Sequence, residues 1–455
     1  MILRLLLPAL LFSTLQPQAE TPNIIIILCD DLGYGDLGCY GHPSIRTPNL
    51  DRMAAEGMRF TDFYSAAPVC TPSRAALLTG RYAARSGMAS EKRRVLFPDS
   101  TGGLPPSEIT IAEALKAKGY ATAAVGKWHL GHRPPHLPTK NGFDSFFGLP
   151  YSNDMDGVPG AKWAEPQWKD WNVPLMRNEE IVERPAVQPT LTRRYTDEAV
   201  KIIKENREKP FFLYLAHTMP HTPIFASEEA SGKSARGRYG DVVEELDASV
   251  GQVLAAIRAE GLEKKTLVVF TSDNGPWLIR GLHGGSAGLL NEGKGSTWEG
   301  GMREPGIFWW PGRIAAGKVT REPACTMDLF ATSLKLAGAE VPTDRPIDGV
   351  DLSPVLFGTG PNPRRSFVYY RDMTAWAIRL GPWKMHVTTR SSFGKDAAVH
   401  HEPPLLFNLA QDPSEKLDVA SKNPDVVAEM RKLLADHQAT VTPVENQLEK
   451  DLPGK

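Results

Sequence analysis

A chain of 455 residues with 52 Lys and Arg against 53 Asp and Glu carries a formal net charge of −1. No overall field therefore draws it to nucleic acid or to a membrane surface, and a polyanionic partner must be read by local basic residues. The length allows a large core and about two to three domains, and 40 Gly with 38 Pro fit a loop-rich α/β enzyme rather than a helical bundle.

Met1 to Phe12 join a short basic start to an apolar run, and small residues lead to Ala19. The run is too short to span a bilayer and reads as a cleaved secretory signal over residues 1–19, which predicts a secreted or periplasmic protein. No later segment reads as transmembrane. Asn23 to Leu28 is a β-branched run, as expected of a central parallel strand buried on both faces. Thr47 opens a helix that Gly57 closes. Around Cys70, Thr71 reads as a helix cap, Pro72 as the first helical residue, and Ala75 to Leu78 as its continuation. Thr110 and Glu113 form a capping box, Gly119 ends that helix, and Tyr120 to Val125 is a strand.

Tyr151 to Pro189 is irregular and rich in Pro and Trp, a surface excursion whose Trp163, Trp168 and Trp171 either stack on a sugar ring or pin the excursion to the core. Leu191 to Ile203 reads as a helix, Phe211 to Ala216 as a strand, and Val242 to Ile257 as one apolar helix face. Leu267 to Phe270 and Ile307 to Trp310 are further strands. This alternation argues for a large mixed, mostly parallel sheet sandwiched by helices, over residues 20–364. From 365 to 455 the pattern changes to short strands at Phe367–Tyr370, Ala375–Leu380, Trp383–Val387 and Leu405–Leu409. They predict a small antiparallel sheet, with a packed helix over Val426–Leu434 and a polar tail in the last dozen residues.

Residues that carry chemistry fall at the carboxyl ends of predicted strands, where open α/β sheets bind ligands. Asp30 and Asp31 follow the first strand, Lys127 and His129 the strand ending at Val125, His221 the Phe211 strand, and Asp273 and Asn274 the Leu267 strand. Asp30, Asp31, Asp273 and Asn274 make an all-oxygen set that favours calcium, with magnesium second; such aspartates also serve simply to satisfy loop N–H groups. Arg74, Lys127 and Lys294 with His129 and His221 suit an anionic ester. The 4 cysteines are Cys29, Cys39, Cys70 and Cys325. Their spacing gives no disulfide framework, and only Cys70, at a helix start facing unpaired N–H groups, has a chemical context.

Cys70-Thr71-Pro72-Ser73-Arg74 followed by Leu78-Thr79-Gly80-Arg81 resembles the signature of type I sulfatases of the alkaline phosphatase superfamily. Asp30 to Gly35, Gly126 to Gly131, Thr271 to Gly275, Gly293-Lys294 and Gly300 to Pro305 agree with it. Gly126 to Pro134, Asn141 to Asp144, Arg236 to Asp241 and Met327 to Phe330 resemble the arylsulfatase A and N-acetylgalactosamine-6-sulfatase branch. The resemblance implies that a formylglycine-generating maturation enzyme converts Cys70 to formylglycine. It also implies one calcium ion held by Asp30, Asp31, Asp273, Asn274 and the residue-70 oxygen. Arg74, Lys127, His129, His221 and Lys294 become the anion-binding and proton-handling set, and a sulfated carbohydrate the substrate, with sugar contacts expected from Pro276–Leu290 and Tyr151–Pro189. A 6-O-sulfated galactose or N-acetylgalactosamine at a chain end is the favoured unit. The competing readings are a phosphomonoester or phosphonate hydrolase of the same fold, a glycan-binding protein with Cys70 unconverted, and a structural secreted protein, which no repeat or scaffold composition supports.

Overall fold

The computed structural model describes residues 21–156, 172–393 and 396–451; the expected signal segment and Trp163, Trp168 and Trp171 lie outside them. The isoleucine run forms β1 (Asn23–Cys29), which is buried along its whole length. Its side chains alternate between two apolar layers, as period-2 geometry requires. Ile25, Ile27 and Cys29 pack in one layer, and Ile24, Ile26 and Leu28 in the other.

In chain order the first sheet contains β1, β2 (Met58–Tyr64), β3 (Ala121–Gly126), β4 (Ser145–Gly148), β5 (Leu175–Arg177), β6 (Glu180–Glu183), β7 (Phe211–Ala216), β8 (Thr266–Ser272), β9 (Arg303–Trp309), β10 (Lys318–Thr320) and β11 (Ala324–Cys325). Its strand order is β10-β2-β9-β8-β1-β7-β3-β4-β5-β6, with β11 beside β2. The central strands β8, β1, β7, β3 and β4 are parallel, so their carboxyl ends share one edge. Antiparallel β9 makes the sheet mixed.

The helices are α1 (Pro48–Glu56), α2 (Cys70–Thr79), α3 (Ile111–Lys116), α4 (Leu191–Glu205), α5 (Arg238–Ala259), α6 (Glu299–Met302), α7 (Asp328–Leu336), α8 (Ser353–Leu356) and α9 (Pro424–Ala439). Residues of α1, α4 and α5 fill the layer on one face, and residues of α2, α3 and α7 the layer on the other. The second sheet is antiparallel, in the order β12 (Ser366–Arg371), β13 (Thr374–Leu380), β14 (Trp383–Thr389), β15 (Val399–Asn408). Met430 and Leu434 of α9 join its apolar layer.

Three expectations need correction, and one strand went unforeseen. Thr71 does not cap α2: the helix begins at Cys70 after an extended Val69, without a side-chain cap. The Thr71 hydroxyl instead donates to the His129 carbonyl at 3.0 Å and accepts from Leu96 N–H at 3.2 Å, which ties the helix start to two loops of the site. Strand β2 was not expected, because a register shift between Phe60 and Phe63 interrupts its alternation. The excursion after Tyr151 is not wholly irregular; β5 and β6 form a hairpin turned at Asn178, whose φ is +57°. Finally, the end of the chain is not a loose polar tail. Gln447 N–H donates to the Gly87 carbonyl, the Asn446 amide to the Ala89 carbonyl, and Ser90 to Glu449, while Leu448 is buried.

The capping box is present as expected. Thr110 Oγ1 accepts from Glu113 N–H, and Glu113 Oε2 accepts from Thr110 N–H.

Candidate active site

Because β1, β7, β3 and β8 are adjacent and parallel, the loops after them converge. Asp30, Asp31, Lys127, His129, His221, Asp273 and Asn274 arrive on those loops, and all are buried. Cys70 and Arg74 come from the first turns of α2, and Lys294 from the glycine-rich loop before α6. Tight backbone approach fixes the loop after β3: at Gly126, φ is +104° and a Cβ would sit 1.8 Å from the Ala216 carbonyl oxygen, so only glycine fits.

The carboxylates and cations interlock. Lys127 Nζ donates to Asp30 Oδ2 at 2.5 Å and to Ser152 Oγ at 3.1 Å. Arg74 Nε donates to Asp273 Oδ2 at 2.9 Å, and its Nη1 to the Lys127 carbonyl at 2.8 Å. Lys294 Nζ lies 2.7 Å from Asp31 and 3.6 Å from Cys70 Sγ. Cys70 Sγ is 3.4 Å from Asp30 Oδ1. Asp31 is held with φ of +63°, a conformation uncommon outside glycine. Its Oδ1 accepts from the Asn274 amide at 2.7 Å.

Burial decides the charges. It opposes ionisation of Asp30, but the charged Lys127 and Arg74 beside it outweigh burial and hold that carboxyl far below the usual range. Asp31 and Asp273 are pushed upward by burial and by neighbouring carboxylates, although Lys294 and Arg74 oppose the shift. Burial also works against the charge on Lys294 and Lys127, yet Asp31 and Asp30 respectively keep both ammonium groups above the usual lysine range. His129 and His221 are held neutral by burial, reinforced by Lys127 for the first and Lys294 for the second. Burial and then Asp30 drive the Cys70 thiol well above its ordinary value.

This arrangement fits a divalent cation. Oxygens of Asp30 and Asp31, Cys70 Sγ and a His221 ring nitrogen all lie within 4.8 Å of one another. Asn274 Oδ1 is buried without a hydrogen-bond partner among the described residues. Repelling carboxylates and a bare amide oxygen suit a hard oxygen-seeking ion. His221 adds to the group that sequence reading made all-oxygen.

Cys70, His129, His221 and Lys294 line a cavity of about 230 Å³. Arg74, Lys127, Asp30, Asp31, Asp273 and Asn274 lie beneath this floor. The cavity wall includes residues that sequence reading did not single out: Arg94, Phe97, Ser152, Asp154, Trp277, Arg280 and Phe393. Trp277 and Arg280 fall in the Pro276–Leu290 loop, and Ser152 and Asp154 at the start of the Tyr151 excursion. The latter pair come several residues after β4, a strand that the sequence reading did not place, so no strand-end signal marked them.

The second sheet completes this wall. Ser392 Oγ donates to the Lys294 carbonyl, and Arg371 Nη1 to the Gly295 carbonyl. The Phe393 ring leaves no room for a Cβ at Gly295.

The residues at the strand ends belong to a chain with well-characterised relatives. The Sulfatase family model matches residues 22–339, and the model for the C-terminal region of aryl-sulfatase matches residues 362–452. Arylsulfatase A of Homo sapiens is 45% identical over 447 residues, 91% of this chain and 87% of that protein. N-acetylgalactosamine-6-sulfatase of Mus musculus is 43% identical over 460 residues, covering 94% and 88%. The crystal structure of Ps i-CgsB in complex with k-i-k-neocarrahexaose superposes with a TM-score of 0.80 at 34% identity, covering 93% of this chain and 94% of that one. Likeness of this extent, running through both sheets, places the chain in the sulfatase family, and it is a sulfuric ester hydrolase.

Proposed function

We propose that the protein removes 6-O-sulfate from galactose or N-acetylgalactosamine units at the ends of a sulfated glycan, outside the cytoplasm. The observation that carries this is the cavity of about 230 Å³ over Cys70, which we read as the seat of one terminal sugar. Similarity to N-acetylgalactosamine-6-sulfatase supports the sugar, and the apolar amino terminus supports export.

In this reading a maturation enzyme oxidises Cys70 to formylglycine, whose hydrate supplies one hydroxyl to attack sulfur and a second to release sulfate. A calcium ion held by Asp30, Asp31, Asp273, Asn274 and residue 70 would supply positive charge against the sulfate oxygens. The remaining work falls to the chain. Arg74 fixes Asp273 through two guanidinium contacts of 2.9 Å, keeping a carboxylate oriented to receive the proton of the attacking hydroxyl. Lys127 anchors Asp30. Lys294 remains an ammonium beside Cys70 and stabilises the negative charge that develops on the departing sugar oxygen. His221 is neutral and shares this side of the cavity. His129 Nε2 bonds the Leu96 carbonyl at 2.8 Å, so its proton sits there and Nδ1, buried without a partner among the described residues, is left as a base. It is suited to the second hydroxyl.

Rates on an aryl sulfate and an aryl phosphate, followed by defined sulfated mono- and disaccharides, test the proposal. Turnover of the sulfate and preference for galacto-configured 6-sulfates is expected; a preference for glucosamine sulfates or rapid internal desulfation would overturn the substrate assignment.

A further inference from the structure

The rim of the cavity holds charge that the reaction does not use. Arg94 is exposed and lies 4.3 Å from the centre of the Phe393 ring, and half-buried Arg280 lies 3.9 Å from the Trp277 ring centre. The two rings touch, with centroids 5.8 Å apart, so the arginines ride on one continuous aromatic ledge. Among the described residues neither forms an ion pair with a carboxylate. Arg280 Nε and Trp277 Nε1 are both buried without an acceptor among the described residues. Leaving such donors unmatched is unfavourable unless a ligand meets them. Burial also depresses the Arg280 guanidinium below its ordinary range, with Asp154 and Asp31 only partly opposing. A guanidinium stacked on a ring keeps its N–H edge free and planar, the shape that grips an oxyanion bidentately.

Lys294 links the ledge to the reaction centre. Its Nζ lies 4.5 Å from the Trp277 ring centre and 3.6 Å from Cys70 Sγ. Cys70, Trp277, Arg94 and Arg280 line one cavity, so the ledge faces the same space as the sulfate position. Cations exceed what one sulfate needs.

We propose that Arg94, Arg280 and Trp277 form a subsite for a second oxyanion beside the scissile sulfate, so that the preferred substrate is doubly anionic. This rests on the sulfate-ester reading above. Two sources share the chemistry: the carboxylate of an adjoining uronate, and a second sulfate on the same ring.

The test uses the matured full-length protein and three substrates: a 6-sulfated N-acetylgalactosamine, its 4,6-disulfate, and a disaccharide joining the 6-sulfated sugar to a uronate. Wild type is expected to favour at least one doubly anionic substrate in kcat/KM, and which one identifies the source. Arg280→Ala is expected to shrink that preference by about ten- to a hundredfold, the range for charge-assisted hydrogen bonds. Arg94→Ala, being exposed, should shrink it less and in a salt-sensitive manner. Arg321→Ala, an exposed change away from the cavity, should leave the ratio unaltered. If Arg280→Ala does not fold, Arg94→Ala carries the test. A wild type without preference, or a ratio that survives both substitutions, overturns the subsite. If no sulfate ester turns over, the functional reading falls instead. Calorimetric binding of the same sugars then judges the arginines: tighter binding of a doubly anionic sugar supports them, and equal binding overturns them.

Discussion

Cys70 is 2% exposed, and burial beside Asp30 keeps its thiol protonated far above the ordinary range. A thiolate is thus disfavoured where the proposed reaction needs its nucleophile, which is a physical reason to propose an oxygen nucleophile at this position. Cys70→Ala removes that atom without opening the helix, so turnover should vanish while the melting temperature stays near wild type. Full activity from protein whose peptide map shows only an unmodified thiol would refute the mechanism. Asp273 carries a second prediction. Its loss leaves Arg74 buried with its main partner gone, and breaking a buried pair costs about 3–5 kcal/mol. Asp273→Ala should therefore lose both activity and stability, whereas Glu260→Ala should stay within about 0.5 kcal/mol, measured by denaturant titration. Exhaustive chelation should lower turnover and melting temperature together; no change in either would exclude a bound cation.

At the scale of elements, the site rests on where strands stop. Gly126→Ala would force a Cβ against the Ala216 carbonyl and move Lys127 away from Asp30, so folded yield and activity should fall together. Proteolysis and circular dichroism of the variant check the first, and aryl sulfate assays the second. Strand-end logic also explains what was legible beforehand. The β1, β7 and β8 runs are apolar and β-branched or aromatic, and each is followed at once by a charged or amide residue or, after β7, by His221 a few residues on. That pattern needs no tertiary information. Thr71 misled because a threonine before a proline has cap chemistry, but the hydroxyl was claimed by Leu96 and His129, loops distant in sequence. Arg94, Trp277, Arg280 and Phe393 stayed hidden for a related reason. None sits at the end of a predicted strand, and only packing of the second sheet against the first brings Phe393 to Trp277.

Over the whole molecule, the two sheets are joined by buried charge. Glu299 accepts from Tyr64 at 2.7 Å, Tyr369 at 2.8 Å, Arg303 Nε at 2.6 Å and Lys384 Nζ at 2.9 Å. Burial opposes its ionisation, but Arg303, Lys384 and Arg379 prevail and hold it well below the usual value of 4.5. A depressed carboxyl stabilises the fold fully above its unfolded pKa and progressively less as acid protonates it. The stability gap between wild type and Glu299→Gln should accordingly be widest above about pH 5 and narrow as the pH falls below 4.5, the unfolded value. A gap independent of pH would show that the carboxylate's charge is not what joins the sheets. The docked carboxyl terminus has a different kind of consequence. Asn446, Gln447 and Glu449 clasp residues 87–90, in the segment that supplies Arg94 to the rim and the Leu96 carbonyl to His129. Asn446 and Ala89 stand 357 residues apart in sequence, so the wall above Cys70 is secured by a closure of very long range, the kind of contact that forms late in folding.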